Sequence, residues 1–297
     1  MPAISVIVPT YNRVDFLNGC LSSLLAQTQP NYEIIVVDDG STDDSADYVR
    51  QMATNWTGSL RLICQPNGGP ASARNRGWRD SQAEIVAFID ADCAASSERW
   101  LEELTGALNR SGAAGIGGPI VDPDPRSRVA QYLETAGFFR QRVRHGQVDY
   151  LLGGNVAFRR EALAAVGGFR EDRRVWNEDA DLSFRLLKAD YRLAVTDQAG
   201  VWHYGAPTTF MALAQSLYRY GYGSALMSAE WQNRRTPLRE LARHSGAFIL
   251  SPALALRYAP TVGLRRALGF WPVIATEHAA FVGGLLNGLW QRTARPR

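Results

Sequence analysis

Four short apolar runs, each followed by a polar cluster and separated from the next by a helical stretch, constrain this chain more than any other feature. Ile4-Ser5-Val6-Ile7-Val8 reads as a buried strand stopped by Pro9. Glu33 to Val37, Leu60 to Cys64 and Glu84 to Ile89 read as a second, third and fourth strand. Val14, Leu17, Leu21, Leu24 and Leu25 recur at helical spacing, and Pro70 to Asp80 predicts a helix opened by proline in its first turn. Strands joined through helices need crossover connections, so the expected fold is α/β with a mainly parallel sheet flanked by helices. Ligands of such sheets bind beyond the carboxyl ends of the strands. Thr10-Tyr11-Asn12-Arg13, Asp38-Asp39-Gly40-Ser41, Asn67-Gly68-Gly69 and Asp90-Ala91-Asp92 all fall there.

Each cluster has a chemical and a bland reading. The carboxylates of Asp90 and Asp92, one residue apart after an apolar strand, can hold a hard divalent cation whose other positions go to phosphate oxygens and water. Taken alone, such a triplet is more often a surface loop or a helix cap. Asp38 and Asp39 can accept hydrogen bonds from a base imide or ribose hydroxyls; the same stretch also reads as a turn whose Ser41 or Thr42 caps a helix running toward Val49. Asn67 to Gly77 is a glycine-rich entry to a helix, whose backbone N–H groups, with Arg74 one turn in, suit a nucleotide or its phosphates. It is neither a G-x-x-x-x-G-K-[ST] phosphate loop nor a G-x-G-x-x-G dinucleotide fingerprint, which argues against kinases, ATPases and dehydrogenases. Glu178-Asp179, with Asp181 close by, is both a pool of carboxylates whose mutual repulsion would raise a pKa and a good helix start ahead of Leu182 and Leu186. His203 among aromatics is either a packing residue or an imidazole ligand for manganese, and Trp176 either stacks on a sugar or packs.

Together these segments resemble family 2 glycosyltransferases of the GT-A fold. VIVPTYNR (6–13), VVDDGSTDDS (36–45), NGGPASARNRG (67–77), FIDADC (88–93), GGNVAFRREAL (153–163), VGGF (166–169) and NEDADLSFRL (177–186) carry the resemblance in the family's order and spacing. It implies an inverting, hexosyl-type transfer from a nucleoside-diphosphate sugar of the UDP, GDP or dTDP kind, assisted by Mn2+ or Mg2+. Carried over by position, Thr10, Asp39 and Arg74 would touch the nucleotide, with Pro9, Tyr11, Arg13, Asp38, Asn67, Gly69, Asp90, Ala91, Gly154 and Asn155 completing the nucleotide-sugar site. Asp92 would hold the metal with Asp90 and His203, and Asp179, beside Glu178, would be the general base. The family often has glycine where Asn177 stands. A catalytically silent nucleotide-sugar-binding protein and a sugar nucleotidyltransferase are the competing readings; the latter would need a glycine-rich triphosphate loop where Pro9 to Arg13 stand.

The predicted boundary lies near residue 205, with a catalytic domain over 1–205 and a helical C-terminal extension over 206–297. From Trp231 to Arg297 ten arginines face only Glu240 and Glu277, so this stretch carries +8 of a chain whose total is +3. Because the arginines alternate with apolar runs, an anionic membrane surface suits them better than nucleic acid, and peripheral contact through 247–297 is expected. Residues 267–290 are the most apolar segment, but Pro272, Glu277 and His278 argue against a spanning helix, leaving a surface-lying or core-packed one. A saccharide or lipid-linked acceptor is expected, met by loops around 120–150 and by the C-terminal helices. Cys20, Cys64 and Cys93 read as reduced core residues, and no charged n-region precedes Ile4, so the expected location is cytoplasmic, at most peripheral to the membrane. The sequon-like Asn55-Trp56-Thr57 has no role there.

Overall fold

The computed structural model describes residues 3–56, 59–144, 147–171, 177–227 and 237–294. They divide into two compact units, one formed by Met1–Pro123, Phe139–Arg174 and Glu178–Gly205, the other by Asp124–Phe138, Val175–Asn177 and Ala206–Arg297. The helical unit thus includes short stretches from within the predicted catalytic domain. Trp176 and Thr57 lie outside the described residues.

The first unit begins β1 (Ile4–Thr10), α1 (Val14–Leu25), β2 (Tyr32–Asp38), α2 (Ser45–Asn55), β3 (Ser59–Cys64), α3 (Pro70–Asp80) and β4 (Ile85–Ile89). It continues with β5 (Cys93–Ala95), α4 (Trp100–Ser111), β6 (Gly115–Gly117) and β7 (Ile120–Val121). After α5 (Arg128–Thr135), which belongs to the other unit, come β8 (Arg142–Arg144), β9 (Gln147–Tyr150), β10 (Asn155–Arg159), α6 (Arg160–Ala165), α7 (Glu178–Lys188), β11 (Leu193–Val195) and β12 (Val201–His203). The main sheet runs β11-β6-β10-β4-β1-β2-β3. β4, β1, β2 and β3 are mutually parallel, and β10 is antiparallel to both of its neighbours.

Both faces of this sheet are covered, which is why its central strands show no polar alternation: Ile34, Ile35, Val36 and Val37 are all fully buried. Val6, Val8, Ile34, Val36, Ala87 and Ile89 pack with Leu17, Leu21 and Leu24 of α1 and Trp100, Leu101 and Leu104 of α4. Ile7, Ile35, Val37, Val86 and Phe88 face the other way, onto α3, α6 and α7 through Trp78, Leu163, Leu182 and Leu186. At about 1.5–3 kcal/mol per fully buried aliphatic side chain, this double core outweighs any local propensity in the strands.

Three local expectations need correcting. β1 does not stop before Pro9: it continues through Pro9, opposite Val37, to Thr10. The ladder to β4 ends at Ile7, so one flank of the strand is already unpaired where proline removes a donor. α2 is not capped by Ser41 or Thr42 but starts at Ser45, whose N–H donates to Asp43 Oδ1. β3 is an edge strand rather than a buried one, and Cys64 at its end is exposed, unlike the buried Cys20 and Cys93; all three are free.

The second unit adds α8 (Phe210–Met227), α9 (Pro237–Ile249), α10 (Ser251–Leu256), α11 (Ala259–Val262), α12 (Leu264–Gly269) and α13 (Trp271–Ala294) to α5. α8 and α13 approach backbone to backbone, since a Cβ on Gly284 would overlap the carbonyl oxygen of Tyr218 and one on Gly221 that of Phe281. Among the described residues no helix is long and apolar enough to cross a membrane. The most apolar segment is part core and part surface: Val273, Ile274, Phe281 and Leu285 of α13 are buried, while Leu268, Trp271, Leu286 and Trp290 are exposed. Its polar groups are satisfied internally, with the Tyr132 hydroxyl donating to Glu277 Oε2 at 2.6 Å and His244 Nδ1 meeting His278 Nδ1 at 2.9 Å.

Candidate active site

Because β1 to β4 are parallel, the polar clusters that follow them emerge at one edge of the sheet, and the loops there are stitched together. The Asn12 N–H donates to Ser41 Oγ while Asn12 Oδ1 accepts from the Thr42 N–H, with Asn12 itself in the left-handed region at φ 51°. The antiparallel β10 starts opposite the end of β4, Asn155 facing Ile89, and so delivers Gly153 and Gly154 to the same edge.

Asp39 serves the fold. Its Oδ1 accepts from the Gly68 N–H and the Gln65 side-chain amide, and its Oδ2 from the Gly69 N–H at 2.7 Å. The entry to α3, expected to receive phosphates, therefore already holds a carboxylate. Asp38 Oδ1 accepts from the Gly40 and Ser41 N–H groups, but its buried Oδ2 has no partner. Neither does Thr10 Oγ1, directly across the β1–β2 ladder. Arg13 reaches Asp92 Oδ2 at 3.5 Å, and Tyr11 stands half-exposed at the rim.

Arg74 is buried, and its guanidinium is gripped by two acids: Nη1 donates to Glu178 Oε1 at 2.5 Å and Nη2 to Asp90 Oδ1 at 2.7 Å. These two acids lie 88 positions apart in the chain yet share one cation; burial pulls the arginine's pKa down, and the charges of Asp90 and Glu178 outweigh it and raise it. Asp179 follows at the start of α7, accepting from the Gly153 N–H at 3.1 Å. Burial is the first cause lifting its carboxyl to about 6, and the Glu178 charge the second; the Gly153 N–H and Arg74 pull back against them. The expected repulsion from a neighbouring acid is present through Glu178, with burial acting more strongly. Asp181 takes no part, being buried against Arg185 Nε at 2.7 Å and Arg170 Nη1 at 3.6 Å.

Asp92 lies beside the short second sheet, where His203 of β12 is opposite Cys93 of β5. His203 Nε2 is 3.8 Å from Asp92 Oδ1, and ligand atoms of Asp92, Cys93 and His203 fall within 4.8 Å of one another. Burial raises the Asp92 pKa first of all, with His203 opposing. An oxygen and an imidazole donor fit a hard divalent cation. The Cys93 thiol, pushed well up by burial and the two aspartates, is the odd member. Asp90 is engaged with Arg74 rather than with this trio. Gly205 lies so close that a Cβ there would overlap Asp92 Oδ2, while a Cβ on Gly154 would sit 3.0 Å from Asp90 Oδ2.

Several of the expected residues make hydrogen bonds or packing contacts within the fold. Asn155 is fully committed to the fold: its amide donates to the Pro119 and Ala199 carbonyls and its Oδ1 accepts from Trp100 Nε1. Asn67 donates to the Asp39 carbonyl, Gly69 at φ 89° spends its N–H on the Asp39 carboxylate, and Ala91 is buried in the core. The residues that sequence reasoning missed are Gly205 and Cys93, recognisable only once β5 and β12 are placed; Gly153 belongs to the expected Gly153-Gly154-Asn155 stretch, and what the structure adds is its N–H bond to Asp179.

Among the described residues four buried side-chain polar atoms have no hydrogen-bond partner: Thr10 Oγ1, Asp38 Oδ2, Arg74 Nε and His203 Nδ1. All four belong to this edge. An orphaned buried polar group costs about 1–3 kcal/mol, so a cluster of them marks a place where a polar ligand completes the structure.

A mainly parallel sheet whose carboxyl edge gathers carboxylates in this way is the GT-A fold, and the fold and family define a glycosyltransferase. The chain belongs to glycosyl transferase family 2, whose model matches residues 5–167. Glycosyltransferase AglE of Haloferax volcanii is 27% identical over 244 residues, covering 81% of this chain and 78% of AglE. EpsJ of Bacillus subtilis, an uncharacterized glycosyltransferase, is 36% identical over 137 residues, 45% of this chain and 39% of EpsJ. Among solved structures, the mannosyltransferase PcManGT of Pyrobaculum calidifontis, in complex with GDP-Man and Mn2+, superimposes with a TM-score of 0.68 at 22% identity, covering 98% of this chain and 88% of that one. S. aureus TarS 1–349 in complex with UDP-GlcNAc gives 0.54 at 16% identity, covering 97% and 92%.

Proposed function

We propose that this enzyme transfers a sugar from a nucleoside-diphosphate sugar to an acceptor hydroxyl by a single inverting displacement, with Asp179 as the base. The four unpartnered buried atoms carry this reading, because they lie where a base, a ribose and a diphosphate would run along the sheet edge. Thr10 and Asp38 stand at the nucleotide end, Arg74 and Asp90 in the middle, and Asp92 with His203 toward the diphosphate. GDP-Man, UDP-GlcNAc and UDP occupy solved neighbours of this fold, so a UDP-, GDP- or dTDP-type donor is in keeping with the edge. Asp92 and His203 would hold Mn2+ or Mg2+; when bound, that cation offsets negative charge on the departing diphosphate.

In the displacement, the acceptor oxygen forms its bond to the anomeric carbon as the bond to the diphosphate oxygen breaks. The electron pair leaves with the diphosphate, and the acceptor proton passes to Asp179 Oδ. Burial makes Asp179 a better base than an exposed aspartate while leaving it ionised at neutral pH. Glu178 is a positioning residue: through Arg74 it fixes Asp90 and sets the field around Asp179. The acceptor is a saccharide, free or lipid-linked.

A thermal-shift series with UDP, GDP and dTDP, each with and without Mn2+, tests the donor end. One nucleotide raises the melting temperature, and more so with the metal; no shift with any of them overturns the reading. Asp179→Asn separates binding from chemistry, since it keeps the nucleotide shift and loses transfer. Normal turnover in that variant removes Asp179 from the role of base.

A further inference from the structure

Large hydrophobic side chains are exposed unevenly. Among the described residues the sheet-bearing unit exposes five, Tyr11, Val143, Val195, Trp202 and Tyr204, and the helical unit thirteen. Seven of those thirteen lie between Phe248 and Trp271, with Ile249 at 74% and Leu264 at 60% exposure. Exposed Arg257, Arg265 and Arg266 stand among them, and the sequence has no Asp or Glu between Glu240 and Glu277. Those two glutamates are turned inward: Glu240 is buried with Arg243 and His244 beside its Oε2, and Glu277 accepts from the Tyr132 hydroxyl. The surface of this stretch is therefore apolar and cationic, with its acids withdrawn.

We propose that residues 248–271 are an in-plane docking surface for an anionic phospholipid bilayer. α10, α11 and α12 have six, four and six residues, so each rises only about 6–9 Å against a hydrocarbon core of about 30 Å. They can lie in the headgroup boundary and cannot cross it. A bilayer rich in phosphate headgroups accepts both halves of the pattern, apolar side chains below and guanidinium groups at headgroup level. A second copy of the chain does not, because a two-fold contact through this face would set arginines against arginines. This docking does not depend on the donor or base assignments.

The test uses the full-length protein in co-sedimentation with vesicles of phosphatidylcholine alone or with about a third phosphatidylglycerol. The protein sediments with the mixed vesicles, and Arg265→Glu/Arg266→Glu lowers that affinity by roughly tenfold or more at about 0.1 M salt. Leu264→Glu/Leu268→Glu lowers it as well, while circular-dichroism melts of both variants match the parent. Should either variant lose its melt, quenching of Trp271 by brominated lipid, absent in Trp271→Phe, reads the same contact without a charge change. No sedimentation with mixed vesicles, equal binding to neutral ones, or binding unaffected by both folded variants overturns the proposal. So does a dimer in light scattering that Leu264→Glu/Leu268→Glu splits without altering vesicle binding, which assigns the face to a second copy.

Discussion

The two units carry their unmet physical demands in opposite places. In the sheet-bearing unit the unmet demand is inside: among the described residues, four buried polar atoms lack partners, all in the candidate site. Among the described residues of the helical unit the buried polar groups are paired, Tyr132 with Glu277 and His244 with His278, and the unmet demand is outside, in thirteen exposed large hydrophobics. An inward deficit is met by a small polar ligand, an outward one by a surface. The two proposals above rest on these two kinds of incomplete interaction.

The sharpest way to break the comparison is to remove chemistry from the sheet unit without harming it. Asp179→Asn lowers transfer by about 10²–10⁴-fold in a donor-consumption assay. Because the folded carboxyl titrates near 6, above its ordinary value, the folded state holds its proton more tightly and Asp179 costs stability as pH rises from about 4 to 6. Asp179→Asn therefore melts higher than the parent at pH 7.5, and the difference closes below about pH 4. For the same reason transfer by the parent climbs with pH through about 6 and then levels off, in a pH profile at saturating donor.

The helical unit answers to packing instead. Gly284→Val would drive a side chain into the Tyr218 carbonyl and costs about 3 kcal/mol, read by urea unfolding, whereas Asp179→Asn gives no such loss. Smaller is the acid sensitivity of the histidine pair. Burial, with His244 and Arg243 close by, holds His278 down to about 4, while Glu240 and Glu277 also face this group. The unfolded chain takes up that proton first, so stability is lost as pH falls from about 6.5 to 4, by about 1–2 kcal/mol after allowing for partial exposure, and His278→Gln flattens that slope in pH-dependent melts. Smallest is Asn177, at φ 94° where the family often has glycine: Asn177→Ala costs about 1 kcal/mol in the same melts.

Much of the sheet unit was legible because parallel strands write their own signature, an apolar run that ends where the ligand edge begins. α3 runs from Pro70 to Asp80 as its proline and spacing predicted. What stayed hidden depends on partners far away in the chain. Nothing near Asp39 tells that Gly68 and Gly69 will claim its carboxylate, and nothing near Arg74 tells that Glu178 will claim its guanidinium. Asp181 looked like a third member of the acidic run, although Arg185 one turn later is its partner. In the helical unit apolar content alone could not separate core from surface: α13 buries Val273, Ile274, Phe281 and Leu285 but exposes Trp271, Leu286 and Trp290, while Leu256 of α10 and Leu264 and Leu268 of α12 are exposed.

Gly205 touches Asp92 through the absence of a side chain, and Gly154 stands against Asp90 in the same way. A scan that replaces each residue in turn by alanine would thus score both glycines beside the carboxylates themselves, although neither offers a reacting atom. Their loss of function would track volume: Gly205→Ala and Gly205→Val would fall in order of size, while Asp92→Ala with Gly205 intact would remove the carboxylate with no steric gradient. At this edge a hole is as necessary to the geometry as a charge, and the tolerance of a position to substitution does not reveal which of the two it supplies.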